Sequence, residues 1–287
     1  MNHVTFSSSS PSGISILGCG WLGLPLGRYL VSRGYKVKGS VTATEKFDLL
    51  RDVGIEPYQI LLSPSLEGAN TDAFFGCETM IINFPPKRRA DIEEYHPAQI
   101  QALIPGIRNH GVTKVLFVSS TSVYPDLNRE VFEHEELTPS KGSGKALKIV
   151  EDMLKAEESF ETTILRFGGL VGYDRLPGRF LASKKDVPNA NAPVNLIHQD
   201  DCIEIIYQII KQGLWGETFN ACADEHPLRK DYYHQAALQI GLEPPAFEIG
   251  VESSYKIINS EKLKRKLNFT FKYPNPIEML KYQSKTY

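Results

Sequence analysis

Three glycines set the tightest constraint on this chain. In ISILGCGWLGLPLG, Gly18, Gly20 and Gly23 stand between a β-branched apolar run and a segment with helical spacing, Trp21 to Arg33. A strand that turns straight into a helix must cross back to a parallel neighbour, since parallel strands cannot be joined by a tight hairpin. The glycines have separable roles: the first permits the turn, the second lets the backbone approach a diphosphate, and the third lets helix and strand pack closely. Free N–H groups at the helix start then face negative charge. The stretch Gly18, Cys19, Gly20, Trp21, Leu22 and Gly23 is therefore the expected cofactor-binding turn.

The first half of the chain repeats this strand-helix alternation. ISILG (14–18), YKVKGSV (35–41), PYQILL (57–62), TMIINF (79–84), KVLFVSS (114–120) and TTILRF (162–167) read as strands. Helical spacing fills residues 45–52, 92–109 and 145–158, with Pro105 expected to end or kink the second of these. Such alternation predicts an α/β fold of Rossmann type, a doubly wound parallel sheet. After Gly168 glycine, proline and asparagine crowd the chain. VNLIH (194–198) then leads into CIEIIYQIIKQG, with Asp200 or Asp201 as the expected N-cap. Shorter pieces follow and suggest a small C-terminal α/β substrate lobe. The expected division is a tail over 1–12, a Rossmann domain over 13–170 joined by 194–213, and a lobe from 171–193 with 214–287.

Composition narrows the class. Lysine plus arginine number 32 against 34 aspartates plus glutamates, so no global field points to nucleic acid or a membrane surface. Nowhere do eighteen apolar residues run together. The four cysteines lack CxxC spacing, which fits a reducing, cytoplasmic setting. The histidines form no paired ligand spacing, so no metal site is expected. The serine-rich start is expected to be disordered. PSKGSGK (139–145) imitates a nucleotide-triphosphate loop but fails it: Pro139 replaces the first glycine and Ala146 the magnesium-binding hydroxyl.

At the end of the second strand, about twenty residues beyond the glycines, an acidic residue would pair with the ribose of NAD. That slot is Val41, flanked by Ser40 and Thr42, with Lys46 nearby to meet a 2′-phosphate. NADP is therefore the expected cofactor ahead of NAD. Against this, Thr42 could simply cap the next helix, and Glu45 disfavours a phosphate.

A strand ending in SSTSVY, followed by LRFGGLVG, PGRF and NLIHQDD, together with GWLGLPLG, resembles the extended short-chain dehydrogenase/reductase superfamily, which includes the NAD-dependent epimerases and dehydratases. Within it the motifs look closest to the atypical YeeZ-like bacterial group. The resemblance runs over nearly the whole chain from Ser12. It implies a serine that orients a carbonyl and a YxxxK pair, in which tyrosine moves the proton and lysine holds the nicotinamide ribose. Ser120 matches the serine and Lys145 the lysine, but the tyrosine position is Lys141. A lysine can serve as the acid only if burial or a like charge lowers its pKa. By position, Asn83, Phe84 and Pro85 fall on the cofactor side.

Tyr124 and Tyr173 are further donors in principle, with Tyr124 expected to pack. His198 is expected to tie the helix start to the sheet, and Arg166 to partner a buried carboxylate. The resemblance thus implies an NAD(P)-dependent oxidoreductase or epimerase acting on a small carbonyl or sugar-like substrate. The alternative is an NAD(P)-binding redox sensor or partner-binding protein without turnover. Relatives often pair through helices of the Rossmann half, which makes a homodimer an expectation.

Overall fold

The computed structural model describes residues 13–248 and 250–282, so the expectation of a disordered tail over 1–12 lies outside the described residues. The strands are β1 (Gly13–Leu17), β2 (Lys36–Val41), β3 (Glu56–Leu62), β4 (Leu66–Gly68), β5 (Thr79–Ile82), β6 (Lys114–Ser120), β7 (Glu130–Val131), β8 (Glu161–Phe167), β9 (Gly169–Val171), β10 (Leu196–His198), β11 (Thr218–Ala221) and β12 (Ile257–Ile258). The helices are α1 (Gly23–Ser32), α2 (Phe47–Arg51), α3 (Thr71–Phe75), α4 (Ile92–Gln101), α5 (Ile104–Asn109), α6 (Gly142–Lys155), α7 (Gly178–Leu181), α8 (Gln199–Gln212), α9 (Arg229–Gln239), α10 (Glu261–Leu267) and α11 (Pro276–Met279).

All six expected strands are present. As expected, the segment 92–109 breaks into two helices ahead of Pro105, which sits in the first turn of α5 where its missing N–H is harmless. One local expectation shifts. The start of α8 is capped by His198 instead of Asp200 or Asp201: its ring accepts from the Asp200 N–H, and both aspartates fall inside the first turn.

The chain forms two compact units. The first takes the described residues of Met1–Phe84, Ala98–Phe117 and Glu157–Thr162; the second takes Pro85–Pro97, Val118–Ala156 and Thr163–Tyr287. The expected boundary near residue 170 marks a change in composition, whereas the compact units divide the chain within β6 and β8.

In the first unit the strand order is β6-β5-β1-β2-β3-β4. Every pairing is parallel except the last, where β4 runs against β3. The chain winds outward from β1 through β4, then returns to place β5 on the other side of β1. That reversal is the topological switch point of a doubly wound sheet, where ligands of such sheets bind beyond the strand ends. β1 and β5 are buried along their length, as strands covered on both faces must be. α1 buries Gly23, Leu26, Gly27 and Leu30, a single face at i, i+3, i+4 and i+7 spacing.

In the second unit β11 lies parallel to β8, and two short parallel pairs, β9 with β10 and β7 with β12, add to it. α6 buries Leu147, Val150, Glu151 and Leu154 on one face. A smaller apolar cluster joins Val171, Val194, Leu196, Tyr232 and Met279. This is the Rossmann-type α/β architecture.

Candidate functional site

The glycine turn belongs to the first unit and lies at its switch point. Gly18 has φ +104°, and a Cβ there would stand 2.4 Å from the Asn83 carbonyl oxygen. A Cβ on Gly23 would stand 2.2 Å from the Gly18 carbonyl oxygen. Protein packing therefore forbids any side chain at both positions. Gly20 is different: it is exposed, and an added Cβ would meet nothing within 4 Å. Its missing side chain has no explanation among the described residues and leaves open the approach that a diphosphate needs.

Several of the expected residues brace this turn. The Ser40 hydroxyl accepts from the Gly18 N–H at 2.9 Å, the Ser40 carbonyl accepts from the Cys19 N–H at 2.8 Å, and Asn83 Nδ2 donates to the Gly18 carbonyl at 3.1 Å. Ser40 is buried, so its hydroxyl serves the turn. Burial pushes the Cys19 thiol up to about 12, which leaves it an inert packing group. Leu22 is buried, Trp21 and Phe84 are half-buried, and Thr42 and Lys46 are exposed just past β2. Val41, in the acidic slot, is buried.

The second unit holds the expected catalytic residues. Ser120 ends β6, and its Oγ accepts from the Ser122 N–H at 3.2 Å, which leaves its own hydrogen to donate elsewhere. α6 begins at Gly142, immediately after Lys141. A Cβ on Gly144 would stand 2.4 Å from the Ser122 carbonyl oxygen and 2.9 Å from Pro139 Cβ. A Cβ on Gly142 would stand 3.2 Å from Ile92 Cγ2 and 3.3 Å from Glu93 Oε1. The two glycines of KGSGK thus let the first turn of α6 settle between the end of β6 and the first turn of α4. Lys145 is brought to Glu93, with Nζ 3.3 Å from Oε1. Lys141 is exposed, with no ion pair or side-chain hydrogen bond among the described residues, so the burial that a lysine acid requires is missing. Pro85, in this unit, is exposed. Glu93 was invisible to motif reading because nothing in NFPPKRRADIEE marks one acidic residue over another.

The other candidate donors are spent on structure. Tyr124 donates to Asn220 Oδ1 at 2.7 Å and accepts from Arg166 at 2.5 Å, and burial pushes its phenol up to about 12. Arg166 is, as expected, the partner of a buried carboxylate: it meets Glu151 at 2.6 Å, and both side chains are almost wholly enclosed. Tyr173 donates to Asp200 at 2.8 Å; burial first, then that bond, holds its phenol far above the ordinary range, which makes it a poor acid. His198 is fully buried between Tyr173 and Tyr273, and burial pulls its pKa down to about 4. It fastens the end of β10 to α8, the structural role expected for it. A cavity of 690 Å³ opens beside Phe132, Lys155, Thr218 and Lys262. It lies at the other end of α6 from Lys145, roughly 15 Å along the axis, and takes in none of the expected site residues. No group of three or more His, Cys, Asp or Glu side chains suited to a metal ion occurs among the described residues. Among them, too, no helix is long and apolar enough to cross a membrane.

A strand-glycine-helix turn at the switch point of a doubly wound sheet defines a Rossmann-fold protein of the dinucleotide-binding type. No family model matches the chain. Protein YeeZ of Escherichia coli K12 is 35% identical over 269 residues, spanning 93% of this chain and 98% of that protein. The chain therefore belongs to the YeeZ-like proteins. Solved structures share the fold at lower identity. A short-chain dehydrogenase/reductase superfamily protein from Agrobacterium tumefaciens with bound NAD aligns at TM-score 0.76 and 17% identity, covering 94% of this chain and 95% of that one. A UDP-glucose 4-epimerase with UDP-glucose, from Thermotoga maritima, aligns at TM-score 0.77 and 17% identity, covering 94% and 97%.

Proposed function

We propose that the chain binds a nicotinamide dinucleotide at the Gly18-Gly20-Gly23 turn and performs oxidoreductase or epimerase-type chemistry on a small carbonyl or sugar-like substrate. The observation that carries this is Gly20, a glycine at the mouth of the turn with no protein neighbour to require it. Bound there, the dinucleotide would supply hydride chemistry, and the protein the orientation. Backbone N–H groups opening α1 would hold the diphosphate. Ser120 would donate to the substrate oxygen, and Lys145 would hold the nicotinamide ribose. The NAD-bound relative of similar fold supports the cofactor class. NADP is favoured over NAD, because Val41 offers no carboxylate to the ribose hydroxyls while exposed Thr42 and Lys46 can meet a 2′-phosphate.

Gly20→Leu tests the cofactor site without a folding confound, since the added side chain starts in open space. Calorimetric titration with NAD and NADP should show binding in the wild type, stronger for NADP, and a loss of at least tenfold in the variant at unchanged Tm. Undiminished binding in Gly20→Leu overturns the site.

A second reading, a dinucleotide-binding sensor without turnover, is favoured by one observation: Lys141, in the tyrosine slot, is exposed and has no side-chain partner among the described residues. A panel of aldehydes, ketones and nucleotide sugars separates the two. Cofactor oxidation that is lost in Ser120→Ala supports the enzyme, and tight binding with no turnover across the panel supports the sensor.

A further inference from the structure

The 690 Å³ cavity lined by the end of α6 and by α10 has no part in the chemistry proposed above, and every residue lining it belongs to the second unit. Its charged lining consists of Glu133, Glu217, Glu261, Lys155, Lys262 and Arg265. These balance by count, but their pairing is uneven. Glu217 is met by Lys262 at 2.8 Å and by Lys266, outside the lining, at 3.0 Å. Glu261 is met by Lys264 at 2.7 Å. Glu133 gives one carboxylate oxygen to the Asn220 N–H at 2.9 Å. Lys155 and Arg265 are left over, since neither has an ion pair or a side-chain hydrogen bond among the described residues. On α10 the contrast is sharp: Lys262, Lys264 and Lys266 are each engaged by a carboxylate, and Arg265 is not.

A single solvated arginine needs no explanation. Here a second unpaired cation, from a different helix, lines the same cavity. Burial lowers the Lys155 ammonium from its ordinary pKa, opposed by Glu151 and reinforced by Arg166, so its charge would gain from an anion beside it. Phe132 and His134, also on the lining, stack with ring centres 5.7 Å apart and planes 21° from parallel, which gives the cavity a flat wall.

We propose that this cavity binds a small phosphorylated molecule, its phosphate held by Lys155 and Arg265 and its body against the Phe132–His134 wall. The volume is that of a small-molecule site. A guanidinium fork matches two phosphate oxygens, and the lysine adds a point charge. The double negative charge of a phosphomonoester also outweighs repulsion from Glu133, which a single carboxylate would do less well. The site is separate from Ser120, Lys141 and Lys145, and it stands whether or not the chain turns over a dinucleotide.

The test is calorimetric titration of the full chain, without dinucleotide, using inorganic phosphate, glycerol 3-phosphate, glucose 6-phosphate and AMP as probes. At least one phosphomonoester should bind with a Kd of about 1 mM or tighter. Lys155→Met with Arg265→Met keeps the apolar stems and should weaken that binding by at least about tenfold. Glu133→Gln keeps an acceptor for the Asn220 N–H, removes the repelling charge and should tighten it by about threefold. Gly20→Leu, which blocks the glycine turn, should leave it unchanged. The proposal is overturned if no probe binds at 10-fold that concentration, about 10 mM, or if the double variant binds as the wild type does. Binding lost in Gly20→Leu assigns the phosphate to the glycine turn and overturns it too. Should the double variant fail to fold, Glu133→Gln decides: unchanged or weaker binding there overturns the site.

Discussion

The two compact units differ in what they bury. Among the described residues, the first encloses no Asp, Glu, Lys, Arg or His side chain; its core is Ile14, Ile16, Leu26, Leu30, Met80, Ile81 and their like. The second encloses His96, Glu151, Arg166, His198 and Asp201. Apolar cores tolerate conservative change and ignore pH, whereas buried charges fix geometry at the cost of dependence on every partner. The unit that holds the glycine turn is the indifferent one. The unit that holds Ser120, Glu93 and Lys145 is the demanding one.

The largest expected contrast comes from the buried ion pair. Glu151→Ala strands Arg166 and Ser119 without their acceptor and should cost about 4 kcal/mol in chemical denaturation. Ile81→Val, a comparable site in the first unit, should cost about 1 kcal/mol. Equal losses would erase the distinction.

Acid titration gives the next effect, through two buried groups of opposite sign. His198, lowered to about 4, is protonated first in the unfolded chain, so its contribution to stability is lost as pH falls from about 6.5 towards 4, by ~3 kcal/mol. Asp201 is raised to about 6, by burial above all. It is protonated first in the folded chain, so stability is gained as pH falls from about 6 towards 4, by ~3 kcal/mol. The two nearly cancel in the wild type. His198→Gln should therefore become more stable on acidification over this window, and Asp201→Asn less stable. Slopes of the same sign in both variants would show that the cancellation is not real.

Gly144→Ala should cost about 2 kcal/mol, because the new methyl group overlaps the Ser122 backbone. Gly20→Ala, with open space before it, should leave Tm within about a degree, given that such surface changes stay inside ±0.5 kcal/mol. Tyr124→Phe should cost about 1 kcal/mol, with turnover unchanged if its phenol serves only Asn220 and Arg166.

Much of this was legible in the sequence, for identifiable reasons. ISIL, TMIINF and KVLFVSS are too β-branched and too continuous to be anything but strands covered on both faces, and the glycine turn is a local device that needs no long-range knowledge. Arg166 and His198 were placed because each stands within a strand whose burial could be inferred. The Glu93–Lys145 pair was not legible. It joins residues 52 positions apart in the sequence, through a close approach at Gly142, whose purpose shows only once the neighbours of an absent Cβ are known. Ser40 was misjudged in emphasis for a similar reason: its hydroxyl turns inward to Gly18, a direction that spacing cannot reveal.

β4 has a quieter consequence. It is three residues long and runs opposite to its neighbours, forming the outer rim of the first unit beyond β3. A foreign chain seeking to extend the sheet there would find too few unpaired amides to grip. The rim therefore guards against edge-to-edge polymerisation, and lengthening it into a straight run of valines and threonines should make the protein fibrillise.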